Sequence, residues 1–399
     1  QRRLSPAIAT VSATAQRLAG LSQRITRASA LLRTRVDIAT ESQNQMLLEK
    51  LTRGQELQLR LQSTVEGLSI AAISYYVVSL LLYVVYGVPL AMFVRMGWRR
   101  RGQGPVGPAW AGALAVLGLV LAGWMLAARF LFGVAFRPGK AGLHPVAAWC
   151  ALGAGAVGLL AWIAFALGGN PLAARIGVSI GMWWLLTPLF MVVGHRMIPF
   201  FSASALPRYE AFRPDWALRL LLGVSVLHGA LAMADLARLA WPVDLAGATC
   251  ALWLSWKWQL RRSLAVPILA MLHLGFAWLG VAWLLFGLQG LLQVTGIHTL
   301  GLAPLHALSV GYFATMTLAM VSRVTLGHSG RPLVADGLTW RLALALHGVA
   351  LVRVLADVLP VAHDALLVLA GLGWLAVFGP WVARLLPIYL KPRADGRPG

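Results

Sequence analysis

The chain has 399 residues and a mass of 42.9 kDa, with 59% apolar and 12% charged residues and a mean hydropathy of +0.74. A soluble domain is roughly 45–50% apolar and about 25% charged, so an ordinary soluble enzyme, a disordered tail and a nucleic-acid module are all excluded. The formal net charge of +21 sits mostly in short spacers between apolar runs, where basic residues orient helices and meet anionic headgroups.

Residues 1–67 stand apart from the rest. They begin at Gln1 without a secretory signal peptide, which reads as a chain lacking its natural start. They hold 10 Lys/Arg and 5 Asp/Glu among Ser, Thr and Gln, with one proline. Leu18, Leu21, Ile25, Ala28, Leu32, Val36 and Ala39 recur at spacings of three and four, a helical stripe of heptad type. The stretch 47–68 is also helix-permissive. The plain reading is a juxtamembrane helical hairpin packed on itself. The sharper reading is a coiled coil that makes a homo-oligomer through residues 1–67.

From residue 68 the chain is a series of apolar runs. A hydrocarbon core about 30 Å thick takes roughly 20 apolar residues in a helix. Ten spans are expected: 68–94, 108–130, 145–167, 176–198, 218–237, 243–258, 266–288, 302–324, 342–359 and 366–386. The sixth is short and carries Asp244. No run alternates as a strand does. The expected fold is all-α: a polytopic transmembrane bundle of about 10 spans, preceded by a coiled-coil-like segment. Domains are expected at 1–67, at 68–104 (a first anchor and basic loop) and at 105–399 (the multi-span bundle).

Basic residues follow the even-numbered spans: Arg196, Arg208 and Arg213; Lys257, Arg261 and Arg262; Arg323 and Arg331; Lys391, Arg393 and Arg397. The spacers 289–301 and 360–364 have none. Even ends, and with them the C-terminus, are therefore expected in the cytoplasm. Arg95, Arg99, Arg100 and Arg101 break the rule after the first span. Either one span is miscounted near residues 107–136, or two proteins of different topology meet at a seam marked by Pro105, Gly107 and Pro108; the seam is the favoured reading.

The candidates for chemistry are nine histidines: His144, His195, His228, His273, His298, His306, His328, His347 and His363. An ionisable residue inside a membrane is a functional hypothesis by default, and neutral imidazole is the commonest metal and haem ligand. The competing reading is an imidazole bonded to a neighbouring carbonyl or hydroxyl. Only eight Asp/Glu follow residue 67, too few for a di-iron carboxylate site or a long proton relay. Cys150 and Cys250 lie in apolar runs, which excludes a disulfide scaffold, a thiolate zinc site and a cysteine-ligated iron–sulfur cluster. No HExxH, GxSxG or Walker loop is present. No adjacent His–His pair exists, unlike the catalytic subunit of a respiratory nitric oxide reductase. Two irregular segments, 194–201 and 322–332, gather Arg, His and hydroxyls at helix ends, either as basic turns or as an anion site.

These segments carry a resemblance. Leu305 to Gly311 (LHALSVG), Met316 to Met320 (MTLAM) and Gly327 to Leu333 (GHSGRPL) resemble the NnrS family, as do Arg196 to Phe201 (RMIPFF) and Leu272 to Trp278 (LHLGFAW). The similarity covers roughly residues 170–390. It implies an inner-membrane protein with haem and copper that protects bacteria from nitric oxide and nitrosative stress, with nitric oxide as a ligand and no settled catalytic reaction. By motif position it makes His273, His306 and His328 the metal-binding histidines, with Arg196, Arg323 and Arg331 as accompanying cofactor-binding cations. The family's early His-x-His-Glu motif is absent, and His144-Pro145 is its nearest remnant. Residues 31–87 resemble the C-terminal tail of an uncharacterised family of membrane-anchored bacterial proteins. The alternatives are a cofactor-free permease or scaffold, and a fusion of two unrelated membrane proteins.

Overall fold

The computed structural model describes residues 17–49, 108–136, 142–296 and 300–396. The span expected at 68–94, the basic loop after it and the seam near residue 105 lie outside them. The chain divides into two compact units, Gln1–Ala72 and Ile73–Gly399.

In the first unit, residues 17–49 form one unbroken helix, α1, every residue of which is exposed. It contains no proline. Thr26, Thr34 and Thr40 turn their hydroxyls onto the carbonyls four residues back, at 2.9, 3.0 and 2.8 Å, so their polar groups are satisfied within the helix. Leu18, Leu21, Ile25, Leu32 and Val36 are 54–64% exposed, and at 100° per residue they share one face.

The described part of the second unit is helical, with no strand among the described residues. Its helices are α2 (Pro108–Ala135), α3 (Leu143–Gly168), α4 (Pro171–Ala205), α5 (Asp215–Met233), α6 (Trp241–Lys257), α7 (Pro267–Val294), α8 (Ala303–His328), α9 (Gly337–Val358) and α10 (His363–Tyr389). By length and apolarity, α3, α4, α5, α7, α8 and α10 are fit to cross a membrane. That makes six such helices among the described residues, against the ten expected over the whole chain. The span expected at 68–94 lies outside the described residues, and α2, which holds the span expected at 108–130, shows only a shorter apolar stretch. The other two differ for a physical reason: α6 has 17 residues and carries Asp244 and Lys257, while α9 carries Arg341, Arg353 and Asp357.

Proline and asparagine set the boundaries. Gly169 closes α3 at φ +64, a conformation an L side chain rarely adopts. Asn170 then caps α4 through Leu172 N–H at 3.0 Å, and Pro171 occupies the first turn, where its missing donor costs nothing. Within α4, Pro188 cannot supply an amide hydrogen to the turn before it. The chain widens there into a π segment, Ile180–Leu186. The Trp183 carbonyl accepts a hydrogen bond from Ser225 of α5 at 2.5 Å.

Helix α7 is the axis of the bundle, touching α4, α6, α8 and α9. Small residues let its neighbours approach. A Cβ on Gly280 or Gly287 would lie 2.6 Å from the side chain of Leu252 or Leu245 on α6, and one on Gly311 of α8 would lie 2.5 Å from Trp278 of α7. Close backbone approach of this kind gives membrane helices their packing energy, because apolar burial alone supplies little in lipid.

Candidate functional site

The histidines fall in two layers. One lies where α4 and α8 end and α7 begins. His273 is buried on the second turn of α7, and its Nε2 stands 2.9 Å from Ser202 Oγ of α4. The Ser202 hydroxyl donates to the Ile198 carbonyl at 2.8 Å, so its oxygen accepts from His273 Nε2–H. The hydrogen-bond network thereby assigns the lone pair to Nδ1, which is buried without a partner. Next to Ser202, the Phe201 ring lies 3.9 Å beneath the guanidinium carbon of Arg323. Trp381 Nε1 donates to Ser322 Oγ at 2.9 Å, and Thr325 Oγ1 meets Tyr389 Oη at 2.5 Å. Both contacts hold the end of α8 to α10.

In the same layer His144 Nε2 stands 3.0 Å from His195 Nδ1. The ring centroids are 5.2 Å apart, which sets the two rings nearly in line through their nitrogens. That is the geometry of one N–H···N hydrogen bond rather than of two nitrogens converging on an ion. His328 ends α8, and Arg331 follows the left-handed turn at Gly330, φ +68. The C-terminal segment lies on that turn: Ala394 N–H donates to the Ser329 carbonyl at 2.8 Å, and a Cβ on Gly330 would lie 2.6 Å from the Asp395 carboxyl. Arg196 is half-buried on α4.

The second layer is at the opposite end. His306 precedes Arg323 on α8 by seventeen residues, about 25 Å at 1.5 Å per residue. His306 Nδ1 stands 2.7 Å from Asp357 Oδ2 of α9, and Arg353 reaches the other oxygen of the same carboxylate at 3.1 Å. His228 of α5 is similarly placed, its Nδ1 2.8 Å from Asp244 Oδ1 of α6. Both residues of that pair are buried. The Trp183 ring lies 4.1 Å from the His228 ring and Phe286 lies 4.9 Å from it. A cavity of about 290 Å³ opens here between His228, Trp183, Phe286, Gln289 and Leu305, the residue before His306. Gln289 Oε1 is buried without a partner. Midway, Trp278 Nε1 donates to His347 Nδ1 at 3.0 Å.

Thus the structure brings His273 and Arg323 together through Ser202 and Phe201 and sets His306 at the other end. A metal-binding imidazole usually gives its second N–H to a carboxylate or carbonyl, which fixes the tautomer and leaves the other nitrogen to the metal. His228 and His306 have that dressing. Their Nε2 atoms fit a single imidazole–metal bond, as does the buried Nδ1 of His273. Among the described residues no three His, Cys, Asp or Glu side chains gather as a metal-binding group. The cavity is at the low edge of volumes that hold drug-sized ligands, so it suits an ion or a small molecule rather than an enclosed porphyrin.

His228 is the residue that sequence reasoning underrates. Its signal is Asp244, sixteen positions later, which counts against a membrane span when taken alone and becomes informative once paired. His144 and His195 likewise gain meaning only in contact.

A chain whose described residues are helical without a strand, with six helices among them fit to cross a bilayer and imidazoles bonded inside the bundle, is a multi-pass membrane protein. It belongs to the NnrS protein family, whose match spans residues 67–393. Residues 1–130 also match a family described as a protein of unknown function (DUF3422), so the two matches overlap across 67–130. No curated protein and no solved structure matches the chain.

Proposed function

We propose that this protein binds haem and copper in the bacterial inner membrane and protects the cell from nitric oxide and nitrosative stress, with its C-terminus in the cytoplasm. The observation that supports the reading most is the pair of carboxylate-oriented imidazoles, His228 on Asp244 and His306 on Asp357; His228 lines a small cavity that reaches Leu305, the residue before His306. Asp244 and Asp357 hold the tautomer that leaves Nε2 basic, Arg353 steadies Asp357, and Trp183 and Phe286 keep water from the His228 ring. A metal centre held by His228 or His306 would supply binding of a diatomic ligand such as nitric oxide. The haem itself and the roles of His273, His306 and His328, with Arg196, Arg323 and Arg331, rest on kinship with the family. In this reading the bilayer and nitric oxide are partners, and residues 1–67 join copies of the chain.

The test is a visible absorption spectrum and metal analysis of the purified full-length protein. A Soret band and bound copper are expected. His306→Ala and His273→Ala should alter different signals, because His306 stands at the start of α8 and His273 beside its far end, at the start of α7. Loss of the same signal in both folded variants would mean one shared site. The absence of a three-residue cluster among the described residues favours a second reading, a scaffold or permease without cofactors. A colourless protein without copper would establish it.

A further inference from the structure

Arg323 is 7% exposed. Its guanidinium rests on Phe201, and its Nε is enclosed without a hydrogen bond. No carboxylate among the described residues forms an ion pair with it. The acids that the structure shows near this end are engaged or exposed: Asp336 bonds Thr339 and Arg384, Asp395 bonds Arg393, and Asp215 and Glu210 are exposed. Burying a cation without a counter-charge is costly, and a cation–π contact offsets only part of that cost.

A second donor stands in the same place. Tyr209 is 8% exposed and packs beside Phe201. Its hydroxyl faces Ser202 without reaching hydrogen-bond geometry and has no other partner. Burial pushes its phenol above the usual tyrosine range, so it remains an O–H donor at neutral pH. Two enclosed donors, one of them charged, therefore lie around Phe201–Ser202 and lack acceptors. Buried donors are nearly always paired, and an oxyanion meets both demands at once. Guanidinium and phenol together suit the oxygens of a phosphate or carboxylate.

We propose that Phe201, Ser202, Tyr209 and Arg323, where α4 and α8 end, form an anion site that takes one phosphate oxyanion, either free or carried by a lipid headgroup. The proposal does not depend on haem or copper, and it gives Arg323 a phosphate in place of the cofactor-binding role suggested by kinship. Its position where α4 and α8 end puts the anion near headgroup depth, where both sources are present.

The test follows thermal unfolding of the full-length protein. One arm adds inorganic phosphate to protein in a phosphate-free, neutral detergent. The other adds phosphatidylglycerol, or diacylglycerol without a phosphate, to the same detergent. A saturable rise in Tm with inorganic phosphate identifies a free anion. A rise confined to phosphatidylglycerol identifies the headgroup. Arg323→Met keeps an unbranched chain on Phe201 without the charge, and it should abolish the rise in either arm. Without any anion it should unfold at or above the wild-type Tm, because an uncompensated buried charge is removed. Tyr209→Phe should weaken the phosphate response several-fold while keeping the fold. If the wild type responds in neither arm, or Arg323→Met keeps the full response, the site does not exist.

Discussion

At the scale of single residues, His228 and Asp244 show how two groups that are costly in an apolar bundle become tolerable together. Each satisfies the other at 2.8 Å, and the tryptophans and Phe286 seal the contact. The two partners are not equivalent under mutation. His228→Ala leaves the Asp244 carboxyl buried without its donor, a loss on the order of 3 kcal/mol. Asp244→Asn keeps a neutral oxygen that still accepts from the imidazole, and costs about 1 kcal/mol. Unfolding of both variants in the same detergent should give that order, and equal losses would mean that the carboxyl is not enclosed. This contact also marks what a sequence can and cannot tell. Apolar runs are legible one residue at a time, because each position facing lipid must be apolar. The His228–Asp244 pair is not, since periodicity does not say which faces of α5 and α6 meet. His306 was accessible through its motif, whereas Asp357 on another helix was not.

At the scale of elements, α1 has a charge pattern that bears on how it pairs. Arg17, Arg24, Arg27, Arg33 and Arg35 occupy its first part, while Asp37, Glu41 and Glu49 follow with no Lys or Arg between residues 36 and 49. Two copies side by side in parallel set arginine against arginine. Antiparallel copies lay the basic part over the acidic part and bring the stripe into register about Thr34, with Leu21 opposite Leu47 and Ile25 opposite Gln43. Flanking charges choose orientation in such pairs more than they add stability. In a full-length chain freed of Cys150 and Cys250, protein carrying Leu21→Cys should therefore form disulfides with protein carrying Leu47→Cys. Ready self-cross-linking by Leu21→Cys alone would point to parallel pairing, and no cross-link in either case would leave the hairpin reading. The π segment of α4 illustrates the other limit of sequence reading. Pro188 is visible in the sequence, but the local widening it causes depends on Ser225 of the neighbouring helix to take up the Trp183 carbonyl.

At the scale of the whole second unit, the contacts sort the helix ends into two layers. His144–His195, Ser202–His273, Arg323–Phe201 and Thr325–Tyr389 place the start of α3, the ends of α4, α8 and α10, and the start of α7 together. Arg262 joins them through the Pro207 carbonyl at 2.7 Å. The connecting segments of this layer carry Arg208, Arg213, Arg261, Arg262, Arg331, Lys391 and Arg393. The opposite layer carries Asp235, Arg238 and Asp364, and Arg175 there is tied to Asp235 at 2.5 Å; its basic residues are fewer. Short basic loops stay on the cytoplasmic side because their translocation is disfavoured, so the His273 layer is expected inside and the His306 layer outside. The structure adds sites for the test: Thr295, after α7, and Lys391, after α10, are exposed and lie in opposite layers. In a cysteine-free background, Thr295→Cys should react with an impermeant maleimide added to intact spheroplasts, and Lys391→Cys only after lysis. A periplasm-dependent reporter fused to the C-terminus should remain inactive. Labelling of Lys391→Cys in intact cells would invert the orientation and place the Arg323 anion site outside, where phosphate and headgroups of the outer leaflet, rather than cytoplasmic anions, would have to fill it.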